Sequence, residues 1–315
     1  MGFFASLINS MPSAVAQGLI WGIMAIGVYL TYRILDVADL TVDGSLGTGG
    51  AVCVVMVLNG APVGLALLAA TAAGMLAGLV TGLFHTACGI PAILAGILTQ
   101  LALYSVNLRI MGFGTGGGKA NLPISVDKYG LLVSARYVRN VALNNPILTL
   151  AIFCAVLIAV LYWFFGTELG CSLRATGANQ NMARAQGINT NTAKVLGLVV
   201  SNGLVALAGG LLAQYQGFSD INMGRGAIVI GLAAVIIGEV IFSRIFRNFA
   251  LKLLSAVIGA IIYYIVMVFV LRLGLSTDDL KLLTALVVAL FLTIPYWKGK
   301  YFTKTSVKKG EKNHA

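Results

Sequence analysis

Few residues in this sequence have the type and spacing to do chemistry. Asp36, Asp39 and Asp43 fall in one polar stretch, ILDVADLTVDGSLGTGG over residues 34–50, set directly between two apolar runs. Carboxylates in such a place bind or relay an ion, or line a solute path; equally, Asp43 or Ser45 can cap the helix that follows. Gln100, Tyr104 and Asn107 recur at i, i+4 and i+7, so three polar groups share one helix face. That face should point into a bundle, where it lines a path or hydrogen-bonds its neighbours. Glu239 lies late in an apolar run, where a buried carboxylate invites a functional reading and a helix-end ion pair with Arg244, five residues on, is the plainer one.

Other candidates fail on spacing. GFGTGGGK, residues 112–119, has the look of a phosphate loop, but Phe113 stands five before Gly118 and Ala120 replaces the required Ser or Thr. His85 and Cys88 are one turn apart without a third ligand nearby. An interfacial histidine accounts for them better than a metal site. The four cysteines, Cys53, Cys88, Cys154 and Cys171, follow no metal or redox pattern, and three sit in apolar runs, as packing residues do. No Ser/His/Asp set, catalytic carboxylate pair or nucleotide loop remains. The expectation is therefore a chain with no catalytic residues, no metal and no cofactor of its own.

The elements that must hold these residues are membrane helices. Hydrophobic residues make up 59% of the chain and charged residues 10%, with mean hydropathy +0.94. Several apolar runs approach the roughly 20 residues that cross a bilayer as a helix, which predicts an all-α polytopic bundle of about 8–10 spans. The runs fall at about residues 13–32, 50–58, 63–84, 91–111, 146–166, 193–215, 226–242, 250–271 and 280–296. The second is short and continuous with the polar stretch, so it reads as a broken span that crosses or only dips. Residues 1–297 form one transmembrane domain and 298–315 a basic tail. Gly74, Gly78 and Gly82 repeat at intervals of four, a stripe for close helix contact. Residues 111–145 read as a flexible basic loop suited to an acidic partner. The net charge of +11 resides in loops and tail, which fits loops on the cytoplasmic side rather than nucleic acid.

One stretch reads like soluble protein: residues 166–194, GTELGCSLRATGANQNMARAQGINTNTAK. Gly177 and Gly187 can take the positive φ that bounds a helix, and Asn179 can cap one. A short helix over 179–186, bracketed by those glycines, would be a rigid knob between two spans. Basic residues favour the knob's side of the membrane by 13 to 8, which places it and the C-terminus in the cytoplasm.

The motif Met182-Ala183-Arg184-Ala185-Gln186-Gly187-Ile188-Asn189, followed by the Ala/Gly-rich run 195–217, resembles the cytoplasmic loop and next span of ABC-importer permeases of the branched-chain amino acid and ribose type. Asp39 to Gly44, DLTVDG, stands where branched-chain permeases carry Asn-Phe-Ala-His-Gly, and is similar to the subgroup associated with tryptophan or tyrosine uptake. The resemblance implies a permease subunit in a plasma membrane of prokaryotic type. It would work beside a second permease chain, identical or not, with cytoplasmic ATPases that bind the ATP and an external solute-binding protein. It implies a small solute, an amino acid of aromatic kind. Arg174, Gly177, Met182, Ala183, Gly187 and Ile188 would form the coupling loop, and Asp39, Thr41, Asp43, Gln100, Tyr104 and Asn107 the translocation side. The rival reading is an ion-coupled secondary carrier or channel working through Asp39, Asp43 and Glu239.

Overall fold

The computed structural model describes residues 3–113, 117–125, 128–138, 145–242, 245–246, 248–272 and part of 282–297, with side chains from residue 9 onward. Helices dominate it: α1 (Phe3–Tyr29), α2 (Val42–Leu58), α3 (Val63–Thr86), α4 (Ala92–Met111), α5 (Pro146–Gly166), α6 (Glu168–Ala178), α7 (Gln180–Ala185), α8 (Thr190–Gln216), α9 (Ala227–Phe242) and α10 (Phe249–Arg272). Six are long and apolar enough to cross a membrane, and α2 and α9 are shorter apolar helices.

Burial divides the helices by role. The apolar windows of α1 and α8 are 89% and 78% buried, while those of α3, α4 and α5 are 33%, 28% and 17% buried. The first pair is the core, and the others turn side chains such as Leu68, Leu101 and Val160 outward, as lipid-facing helices do. Because lipid offers no hydrophobic drive between helices, close backbone approach has to hold them together. The expected glycine stripe supplies it on α3. A Cβ at Gly74 or Gly78 would run into the backbone of Asn202 or Leu198 on α8, and one at Gly82 would meet Val195 Cα at 3.0 Å.

The second span departs from expectation. It begins at Val42 rather than near residue 50, so Asp43, Gly44 and Ser45 are already helical. A glycine-rich stretch is a poor helix former alone. Here packing compensates, since Gly49 lies against the Ala206 backbone and Gly44 against Gln100 and Leu103. The break falls before it. α1 widens into a π-helical turn, Leu30–Ile34, and Asp36 then takes a left-handed φ of 54°. This is an uncommon conformation outside glycine, tolerated best by Asn and Asp.

Residues 111–145 were expected as a flexible loop. Their described part is tied down: β1 (Asn121–Pro123) pairs antiparallel with β2 (Phe218–Asp220), with Asn121 opposite Asp220, and Ile124 N donates to Gly217 O at 2.9 Å. Gly217, at φ 80°, ends α8 and starts β2. This two-stranded pair lies at one end of the bundle, and α6 and α7 lie at the other. His85 Nδ1 donates to the Ile90 carbonyl at 2.9 Å and fixes the α3 to α4 turn, a structural role for that residue. Among the described residues no group of three or more metal-ligating side chains gathers. Arg244, the expected partner of Glu239, lies outside the described residues. Glu239 pairs with Arg33 of the π-helical turn, with Nε and Oε1 2.9 Å apart. The tail from 298 is likewise outside the described residues.

Candidate functional site

The island between α5 and α8 is built from capped turns. Asn179 Oδ1 accepts from Asn181 N and Met182 N at 3.0 and 3.1 Å, which starts α7. Asn189 repeats the arrangement on Asn191 N and Thr192 N at 3.1 and 3.2 Å, which starts α8. Between them Gly187 takes φ 82°, and Ile188 N reaches back to Ala183 O at 3.0 Å while Gly187 N reaches Arg184 O at 3.0 Å. That is a Schellman ending, the reason this position is glycine. The expected short helix is therefore present as α7, with Asn179 as its cap.

Gly177 does not bracket it. It lies inside α6, a helix not foreseen, because Thr167 caps an earlier start, with Gly170 N donating to Thr167 Oγ1 at 3.4 Å. What Gly177 provides is proximity. A Cβ there would overlap the Ile34 carbonyl, so α6 rests directly on the π-helical turn of α1. Arg174, although exposed, also reaches back to the bundle. Its Nη2 donates to Phe165 O at 3.1 Å, and the guanidinium lies 5.3 Å from the ring centre of Phe249 at the start of α10, a cation–π distance. Ala183 is buried. Of the six residues expected in the coupling loop, Arg174, Gly177 and Ala183 thus seat the island, whereas Met182, 63% exposed, and Gly187 form its outer surface. Ile188 lines a cleft of about 640 Å³ between α6 and the first turns of α8, with Leu169, Leu173, Thr192 and Leu196. Nothing in the sequence pattern announced that cleft.

The polar residues of the second span divide into two clusters. In the first, Asp39 is buried at the break. Its Oδ1 accepts from Thr41 N at 2.9 Å and its Oδ2 from Asn202 Nδ2 at 2.7 Å. Ser45 Oγ donates to Asn202 Oδ1 at 2.6 Å. The Thr41 hydroxyl is 2.8 Å from that of Thr81, which donates to Thr99 at 2.9 Å. This knot joins the break, α2, α3, α4 and α8 through neutral donors, as buried polar groups in a bilayer require. Asn202, Ser45, Thr81 and Thr99 were not singled out from sequence. An amide in the middle of an apolar run, VVSNGLVA, is the signal that marks Asn202.

Asp43 leads the second cluster. It caps a helix, but that helix is α9 rather than its own: Oδ2 accepts from Gly226 N at 2.8 Å and Oδ1 from Ile228 N at 2.9 Å. A carboxylate on those first amide groups also meets the positive end of the helix dipole. Asp43 lines a cavity of about 110 Å³ with Gln100, Tyr104, Asn107, Asn222 and Arg225. The i, i+4, i+7 face of α4 does turn toward one space, and Asp43 shares it, while Asp39 and Thr41 belong to the separate knot.

A family model for the branched-chain amino acid transport system permease component matches residues 10–294. The chain belongs to that family. A tyrosine transport system permease protein of Clostridioides difficile is 40% identical over 286 residues, covering 90% of this chain and 90% of that one. An uncharacterized protein of Rickettsia prowazekii is 36% identical, over 90% of this chain and 97% of its own length. An autoinducer 2 import system permease protein of Yersinia pseudotuberculosis is 31% identical, over 76% of this chain and 64% of its own. The chain is thus a multi-pass membrane permease component of that family.

Proposed function

We propose that this permease passes an amino acid of the aromatic class, delivered by an external binding protein, and is driven by a cytoplasmic ATPase that grips α6 and α7. It works beside a second permease chain, identical or not, in a plasma membrane of prokaryotic type, with the island and C-terminus cytoplasmic. The observation that carries this is the seat of the island: α6 lies on the Ile34 carbonyl through Gly177, and Asp39 of the polar knot follows five residues later. A rigid-body push on Met182 and its neighbours is then passed to the π-helical turn and on to the break in the second span. The tyrosine transport relative supports the aromatic assignment. Asp39, Thr41, Asp43, Gln100, Tyr104 and Asn107 form the translocation side on this reading. The ATP and its magnesium belong to the partner subunit.

The test is a mild-detergent pull-down of the tagged chain from its own membranes, with partners identified by mass spectrometry and ATPase activity assayed in the eluate. An ABC ATPase should co-purify, and Met182→Cys should crosslink to it. A chain that emerges without any ATPase, yet still transports, contradicts the proposal.

A further inference from the structure

Asn107 is 2% exposed, and its Oδ1 makes no hydrogen bond among the described residues. It lines the cavity of about 110 Å³ that Asp43, Gln100, Tyr104 and Arg225 share. A buried amide left unpaired costs stability, and native structures retain such a group mainly where water or a ligand completes it. The cavity exceeds what one water needs and has room for the polar head of a small solute.

The lining states which head. On one side stand acceptors: the Asn107 carbonyl, the Tyr104 hydroxyl, the Gln100 amide and the Asp43 carboxylate. Asp43 accepts from the amide groups of Gly226 and Ile228 at 2.8 and 2.9 Å and also from Ala227 N, at the start of α9, and an ionised carboxylate has lone pairs for about four donors. It therefore retains capacity for a cationic donor. Arg225, exposed at the rim, makes no ion pair among the described residues, and its guanidinium suits a carboxylate in bidentate fashion. Acceptors at graded depth, Asn107 buried, Asp43 and Gln100 half-buried and Tyr104 exposed, beside a rim guanidinium complement a zwitterion.

We propose that this cavity is a recognition site for the α-ammonium and α-carboxylate of a free amino acid, with the ammonium on Asn107 and Asp43 and the carboxylate on Arg225. The side chain then projects toward the mouth past Leu101 and Ile221, so the permease selects for the amino-acid head while leaving the side chain loosely specified. The inference rests on the proposed function, since with the island cytoplasmic this cavity opens on the side where solute arrives.

Saturation-transfer NMR on the full chain in lipid nanodiscs tests it with L-phenylalanine, phenethylamine and 3-phenylpropionate as probes. L-phenylalanine should bind at least tenfold tighter than either half-molecule. Arg225→Gln should abolish its advantage over phenethylamine. Asn107→Leu should weaken L-phenylalanine and phenethylamine at least tenfold, and Asn107→Asp should restore or strengthen phenethylamine. Equal binding of the three probes, no saturable binding of L-phenylalanine at millimolar concentration, or an Arg225→Gln variant indistinguishable from wild type would each overturn the site. Arg225 is exposed, so that variant remains informative if Asn107→Leu does not fold. ATPase co-purification is independent of these results: its absence refutes the driven-permease reading, whereas its presence with indifferent probes refutes only the site.

Discussion

Asn202 serves three residues at once, accepting from Ser45 and donating to Asp39 and to the Leu198 carbonyl. Removing its amide leaves Asp39 Oδ2 and the Ser45 hydroxyl without the partner they share, while Asp39 Oδ1 keeps Thr41 N, and orphaned polar groups cost about 1–3 kcal/mol each. Asn202→Leu should therefore lower the thermal midpoint of the detergent-solubilised chain clearly, and a midpoint equal to wild type would show the knot to be dispensable. The Arg33 to Glu239 pair makes the opposite case. Its side chains are 58% and 30% exposed, and exposed pairs contribute under about 1 kcal/mol. Arg33→Ala should leave the midpoint within error of wild type. A large drop would mean that the pair is a latch rather than a surface contact. Asp39, Asp43 and the α4 face were legible from sequence as polar groups at membrane depth. Their partners were not, because Asn202 lies 163 residues from Asp39 along the chain, and nothing local pairs them.

At the scale of the element, the island depends on two glycines for different reasons. Gly187 needs a positive φ and donates its N–H to Arg184, and proline supplies neither. Gly187→Pro should abolish uptake while the chain still inserts in normal amount; full uptake by a well-inserted variant would separate α7 from coupling. Gly177 needs absence of a side chain, since a Cβ would strike the Ile34 carbonyl. Gly177→Val should insert normally and retain its ATPase, yet lose uptake, measured as labelled solute per unit of ATP hydrolysed. Unchanged stoichiometry would show that the contact with the π-helical turn transmits nothing. The caps of α7 and the spans flanking it could be read from Asn, Gly and hydropathy patterns, which are local signals. Gly177 could not. A helical glycine chosen for close approach and one chosen for positive φ look the same in a sequence, and only the neighbouring helix distinguishes them. The early start of α2 was missed for the same reason, because its glycines become helical only against α4 and α8.

At the scale of the molecule, α1 and α8 form a buried axis around which the other helices stand. The island caps one end and the β1–β2 strand pair the other. The break in the second span lies between the ends, joined to the island through the π-helical turn and to the α4 cavity through α2. On the proposed function, this arrangement is a route by which a partner's push on the island reaches the α4 cavity near the other end. The most direct measurement is uptake by proteoliposomes holding the chain with its co-purified ATPase and binding protein, given ATP inside and labelled L-tyrosine outside. Uptake should require ATP, survive collapse of the proton gradient and vanish in Gly187→Pro. Uptake that proceeds without nucleotide and stops on adding a proton ionophore would contradict this account and make Asp39 and Asp43 ion-coupling groups.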